Sequence, residues 1–222
     1  MDEVKKLCDK PVLFIITSVI YYTNAPLCYT DIRSIFCPEE RAKQTVWTIE
    51  SIRARFSKAK ILLIESGLNN ELPCNIANLV DCYLYNGTDT AVRAAVDSKF
   101  KGLGEAISLI QTAPYLIYET TPFVMKLSGR YFLSEDFNFN NWNLQKFNAL
   151  ICEGAISTRL YGFSQNEYPM WLNALKQAIP LLVAGVSIED ALYQNIAKDK
   201  FNSLKKLGVS GLVGVDASLI KE

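Results

Sequence analysis

The run Pro11–Ile20, PVLFIITSVI, limits what this chain can fold into more than any other stretch. It is almost continuously apolar and rich in β-branched residues, without the alternation of a half-exposed strand, so both faces must be covered, as in the central strand of a parallel sheet. Thr17 and Ser18 break the run near its end, and it is too short to cross a bilayer. Past Tyr21 and Tyr22 a polar loop carries Arg33. Cys37-Pro38-Glu39-Glu40 then has the marks of a helix start, with proline in the first position and acids in the first turn. Ala42, Val46, Ile49, Ile52 and Phe56 recur at spacings of three and four and carry that helix to about Lys58. Lys60–Glu65, KILLIE, is a second strand that stops at Glu65-Ser66-Gly67. Asp81–Tyr85 is a third, shorter one. Strands that alternate with helices predict an α/β fold: a mostly parallel sheet flanked by helices.

Lys101–Arg130 adds the unit on which a function can be hung. Gly102 and Gly104 are expected to turn the backbone tightly and bring amide N–H groups close to an anion. The alternative is an ordinary helix start with glycines for chain reversal. Ala106, Ile107, Leu109 and Ile110 form the apolar side of the following helix, which Pro114 ends. Phe123, Val124, Met125 and Leu127 form a buried strand, with Lys126 inside it, that stops at Ser128-Gly129-Arg130. Ligands bind at the carboxyl ends of strands in open α/β sheets, so this end is a candidate site. Its plain reading is a strand-to-loop turn with the arginine in a surface ion pair.

Leu133–Asn148 is rich in asparagine and aromatic residues and has no period; it is expected to be a surface excursion near the site, whose tyrosines and Trp142 either stack on a sugar or clamp the loop down. Ala149–Cys152 and Thr158–Phe163 are two more strands, antiparallel, giving a small antiparallel portion in the C-terminal half. Pro169–Ile179 and Ser187–Ile196 are helical, the second with Ser187 as N-cap and Asp190 three residues on. Gly208–Val215 is a last strand or loop with many glycines. The 222 residues suit a single domain.

Composition excludes more than it selects. The net charge of +0 argues against a nucleic-acid binder. The chain has no histidine, which removes Ser-His-Asp hydrolysis and most catalytic zinc sites and leaves Asp, Glu, Lys or Tyr as any general base. Six scattered cysteines without a C-x-x-C pair suggest free thiols in a reducing cytosol. The charged N-terminus is not a signal peptide and no transmembrane segment is expected, so a cytoplasmic protein is the expectation.

The stretch RAKQTVWTIESIRARFSKAKILLIESG, the turn Lys101–Glu105 with its helix, and the strand ending at Ser128-Gly129-Arg130 together resemble GT-A glycosyltransferases, nucleotide-sugar transferases with a Rossmann-like sheet. The resemblance covers roughly residues 10–130 and extends more loosely to about 195. It is similar in particular to small glycosyltransferase domains of bacterial surface-polysaccharide clusters and large DNA viruses. It implies a nucleotide-binding half, 1–130, and an acceptor-side half, 131–222. It places Thr17, Ser18 and Glu65 near the base and ribose of a nucleotide-sugar donor, and Lys101, Gly102, Gly104, Lys126, Ser128, Gly129 and Arg130 near its diphosphate; Arg33, in the first loop, is within reach of a phosphate or is solvated as loop arginines usually are. Glu189-Asp190 is similar to the acidic pair from which inverting members draw their base for a glycan or other hydroxyl acceptor. The chain departs from the family where Asp-x-Asp would hold a divalent metal: Ser128-Gly129-Arg130 stands there. That implies a transferase needing no metal cofactor, with Arg130 doing part of the electrostatic work. Glu135 and Asp136, a little beyond, keep magnesium or manganese open. A sugar-phosphate nucleotidyltransferase and a non-catalytic binding module on the same sheet are the alternatives.

Overall fold

The computed structural model describes residues 8–222. In chain order the elements are β1 (Val12–Ser18), α1 (Pro38–Arg53), β2 (Ala59–Glu65), β3 (Cys82–Tyr85), α2 (Thr90–Val96), α3 (Lys101–Ile110), α4 (Ala113–Leu116), β4 (Phe123–Ser128), β5 (Tyr131–Leu133), β6 (Phe147–Cys152), β7 (Ala155–Ser164), α5 (Tyr168–Val183), α6 (Ile188–Asn195), β8 (Phe201–Leu204), β9 (Val209–Leu212) and β10 (Leu219–Lys221). Seven strands form one sheet in the order β3-β2-β1-β4-β7-β6-β8; β5, β9 and β10 form a small antiparallel sheet. The pairs β3–β2, β2–β1, β1–β4 and β6–β8 are parallel, whereas β7 runs antiparallel to both β4 and β6. The α/β architecture, the mostly parallel sheet and the antiparallel C-terminal portion agree with the sequence reading.

Burial explains why β1 and β2 carry no alternation. Leu13, Ile15, Leu62 and Ile64 face a core closed by Ala106 and Leu109 of α3, Leu175 and Ala178 of α5, and Ala191 and Leu192 of α6. Val12, Phe14, Ile16, Ile61 and Leu63 face a second core closed by Ala42, Ile49 and Ile52 of α1. Each apolar side chain removed from water contributes about 1.5–3 kcal/mol, so a polar residue on either face of β1 would cost a comparable amount.

Four local expectations need correction. Helix α1 stops at Arg53 rather than near Lys58, because Phe56 leaves the helix to bury its ring against Phe14, centroids 5.1 Å apart. Gly102 and Gly104 are not a turn: both lie in α3, whose N-cap position is held by Phe100 without a side-chain cap. A Cβ on Gly104 would come within 2.9 Å of Val96 Cα, and one on Gly102 within 2.9 Å of Ile188 Cβ, so the glycines let α2 and α6 pack close to α3. A further helix, α2, precedes α3; Asp89 caps it by accepting from the Ala91 and Val92 N–H groups. Finally, Pro114 does not end α3, which stops at Ile110; it stands in the first turn of the separate helix α4. Of the two readings of Trp142 the clamp holds: it is 6% exposed and packs on Phe123 at the amino end of β4, the edge away from Ser128.

The order β3-β2-β1-β4 has one structural consequence for function. From β1 the chain passes to β2 and β3 on one side, then returns to add β4 on the other. The connections that leave the carboxyl ends of β1 and β4 therefore run to opposite sides and open a crevice, the place where open α/β sheets take ligands.

Candidate functional site

A cleft opens at that crevice in two connected parts. One is lined by Thr17 and Ser18 of β1, Arg33, Arg41 and Thr45 of α1, Ser66, and Ser108 of α3. The other is lined by Tyr29, Tyr131, Thr158, Arg159 and Glu189. Lys101, Glu105, Ser128 and Arg130 line both parts and form their junction.

Backbone chemistry fixes the junction. The Gly129 N–H donates to the Thr17 carbonyl at 2.9 Å, which ties the ends of β4 and β1 together. Thr45 Oγ1 donates to the Gly129 carbonyl at 3.0 Å and Thr48 Oγ1 to the Tyr131 carbonyl at 2.9 Å, pinning α1 across that end. Only glycine fits at 129 without displacement, since a Cβ would lie 3.1 Å from Thr17 O and 3.3 Å from Thr45 Oγ1. This packing sets Arg41, one helical turn before Thr45, facing the cleft that Arg130 enters from the other side. The Arg41 guanidinium lies over the Tyr22 ring, 5.2 Å from its centroid, and Tyr22 is held by donating to the Phe36 carbonyl at 2.8 Å.

Arg41, Lys101 and Arg130 share one electrostatic condition. Among the described residues no carboxylate pairs with any of them, and no hydrogen bond to the protein occupies their side chains. Arg41 Nε is buried with no partner. Burial pushes the Arg41 guanidinium down to about 9, with Arg130 adding to the shift. Lys101, although open to solvent in the cleft, is pushed down to about 7, first by the Arg130 charge and then by desolvation. Glu105 and Glu189 of the same cleft only partly offset this repulsion; three cations crowded around a crevice with no carboxylate of the described residues in direct contact make an anion site.

The other expected residues divide sharply. Thr17, Ser18, Lys101, Ser128, Gly129 and Arg130 line the cleft; Gly104 and Gly102 do so from within α3, Gly102 in the first turn, where N–H groups lack intrahelical partners. Arg33 is also at the wall, but four of its five N–H donors are taken by backbone carbonyls. It donates to the Ala25 carbonyl at 2.8 Å, to Val96 O at 2.6 Å and to the carbonyls of Asp97 and Ser98, so it caps α2 and ties down the loop after β1 instead of meeting a ligand. Glu65 is 0% exposed and does not line the cleft. Its Oε1 accepts from the Ile20 N–H at 2.9 Å and the Gly67 N–H at 2.8 Å, so it shapes the β1 end from beneath; burial raises its pKa. Lys126 is likewise 0% exposed, and its ammonium is fully occupied by Glu105, by Ser128 Oγ at 2.7 Å and by the Thr158 carbonyl at 2.7 Å.

The acidic pair also splits. Glu189 lines the cleft, and its Oε1 accepts from Thr158 Oγ1 at 2.6 Å. Asp190 turns away to accept from Ser187 Oγ at 2.5 Å, while the Asp190 N–H donates to that oxygen at 3.0 Å, a reciprocal cap for α6. The two acids considered for a metal do not reach the cleft: Asp136 pairs with Lys206 at 2.7 Å, and neither it nor Glu135 is part of either wall. Among the described residues no three Cys, Asp or Glu side chains gather as a metal site would require. Arg41 and Glu105 are site residues that sequence reasoning missed. Arg41 sits beside the apolar stripe of α1, and nothing local distinguishes it from a solvated helix arginine.

No protein-family model matches the chain, and no curated protein matches it. Among the described residues no helix is long and apolar enough to cross a membrane.

Proposed function

We propose that this protein is a glycosyltransferase with a GT-A-like sheet, moving a sugar from a nucleotide-diphosphate donor to a glycan or other hydroxyl acceptor without an Asp-x-Asp metal site. One observation carries the reading: Arg41, Lys101 and Arg130 surround the carboxyl ends of β1 and β4, and among the described residues no carboxylate forms an ion pair with any of them. A diphosphate supplies such a partner, and guanidinium groups bind its oxygens in pairs. Beside the cations Thr17 and Ser18 line the same cleft at the end of β1, neutral residues suited to a nucleoside, while Ser66 and Ser108 stiffen its wall by bonding to Asn86, to each other and to the Gly104 carbonyl. The six cysteines are free thiols, which suits a cytoplasmic setting.

In this mechanism the acceptor lies in the second part of the cleft, against Tyr29 and Tyr131. Its hydroxyl oxygen attacks the anomeric carbon as the bond from that carbon to the diphosphate oxygen breaks. The hydroxyl proton passes to the Glu189 carboxylate, whose geometry Thr158 holds. The negative charge released on the diphosphate develops among Arg41, Lys101 and Arg130, which are already in place and need no reorganisation.

A thermal-shift screen of nucleoside diphosphates and nucleotide sugars, in EDTA and in manganese, tests the proposal. A ligand at a hundred times its dissociation constant stabilises the fold by about 2.7 kcal/mol. Stabilisation by a nucleoside diphosphate that survives EDTA is the expected result. Stabilisation only with manganese favours the nucleotidyltransferase. No shift, or binding without transfer or hydrolysis of any nucleotide sugar, favours a binding module.

A further inference from the structure

The junction of the cleft holds one group that an anion site alone does not explain. Glu105 stands on α3 one turn from Lys101 and lines both parts of the cleft, next to the cations that take the phosphates. A carboxylate there repels a phosphate. Yet it is built in with care: beneath it the ammonium of Lys126, in the middle of β4 and 0% exposed, reaches its Oε1. A fully buried lysine is rare and costly unless paired and hydrogen-bonded, and this one is held besides by Ser128 Oγ and the Thr158 carbonyl, with the Tyr161 ring 5.9 Å away. The pairing offsets the Glu105 charge from below and fixes the side chain. Its second oxygen, Oε2, accepts nothing from the protein and is not sealed off from solvent, on a side chain only 18% exposed. An anchored acceptor beside a phosphate site fits a neutral neighbour of the phosphate that carries hydrogen-bond donors.

We propose that Glu105 binds hydroxyl groups of the sugar attached to the phosphate that Lys101 and Arg130 hold, with Lys126 as the residue that positions it. The inference rests on the cleft taking a nucleotide sugar, and it assigns the sugar itself to the junction between the two parts. Lys126 touches no ligand; it acts through Glu105. A charge-assisted hydrogen bond of this kind separates nucleotide sugar from bare nucleoside diphosphate by about ten- to a hundred-fold in affinity.

The test compares the two ligands, taken as matched pairs of the same base, by titration calorimetry in EDTA. Glu105→Gln alone leaves the Lys126 charge buried without its partner, so the double variant Glu105→Gln/Lys126→Met, which removes both charges, is measured beside it. The double variant should bind the nucleoside diphosphate within about threefold of wild type and lose the preference for the nucleotide sugar by at least about tenfold. Lys126→Met with Glu105 intact should erode the same preference while keeping the fold. If wild type binds diphosphate and the double variant keeps its full preference for the sugar, Glu105 has no such role while the cleft reading stands. If wild type binds no nucleoside diphosphate at all, the cleft reading fails and this inference goes with it.

Discussion

Two sets of cations meet at the carboxyl edge of the sheet, and they differ in what occupies their donors. Arg33 and Lys126 are saturated or nearly so, the first by backbone carbonyls around the end of α2, the second by Glu105, Ser128 and Thr158. Arg41, Lys101 and Arg130 are within reach of the same cleft, and among the described residues no hydrogen bond or ion pair occupies their donors, although Arg41 and Arg130 lie over the Tyr22 and Tyr131 rings. The saturated set builds the walls; the unsaturated set has its interaction energy still available for something that enters. The lesson is that a basic residue near a strand end says little until its donors are counted. Stability and ligand affinity should therefore respond to different members of what looks like one basic cluster.

The largest separation is expected at the buried pair. Glu105→Ala leaves Lys126 charged and buried without its counter-ion, and should cost about 3–5 kcal/mol in urea unfolding at pH 7; a loss below about 1 kcal/mol would show that the pair is not a structural fixture. Arg33→Ala comes next. It frees the carbonyls that the guanidinium satisfies and should lower stability by about 2 kcal/mol, with diphosphate affinity measured on the folded fraction changed less than about threefold. A variant with normal stability and collapsed affinity would move Arg33 into the binding set.

Acidity separates the sets in a third way. Lys101 is pushed down from 10.5 to about 7, chiefly by Arg130 and then by desolvation, with Arg41 pushing the same way and Glu105 and Glu189 opposing. The repulsion that Lys101 adds therefore weighs on the fold fully below pH 7 and is gone above 10.5. A bound anion raises the Lys101 pKa again. Below pH 7 the lysine is charged with or without ligand, so affinity is flat; above pH 7 binding takes up a proton, and affinity should fall as pH rises, approaching about tenfold per unit. Calorimetry in buffers of different ionisation enthalpy measures that uptake directly, and Lys101→Met should abolish it. The smallest effect belongs to the acidic pair. Asp190→Ala removes a cap and should cost about 0.5–1 kcal/mol of stability with transfer intact, whereas Glu189→Ala should stop transfer and spare donor binding.

What could be read in the sequence follows the same division. The strands β1, β2 and β4 were legible because a strand covered on both faces must be apolar throughout, and the start of α6 because Ser187 and Asp190 carry their cap chemistry within four residues. The edge strands β8 and β10 are short and mixed in polarity, so only their partners define them. Gly102 and Gly104 read as a turn because their reason lies outside the local sequence: it is contact with Ile188 and Val96, far along the chain or in a separate helix. Ser128-Gly129-Arg130 was visible as a strand end. That Arg130 stays unpaired, that Lys126 is consumed, and that Arg41 arrives from α1 are facts of tertiary contact, because no local pattern records which donors are already spent.

The central claim is that the unpaired cations are an anion site. Its most direct measurement is the affinity of wild type and Arg130→Ala for the nucleoside diphosphate that stabilises the protein best, by titration calorimetry in EDTA, with unfolding in urea measured on the same samples. The account predicts that Arg130→Ala weakens binding by at least about tenfold while stability stays within about 0.5 kcal/mol of wild type or rises, since a repelling charge has been removed. Unchanged affinity, or a loss of affinity matched by a loss of stability, would contradict it.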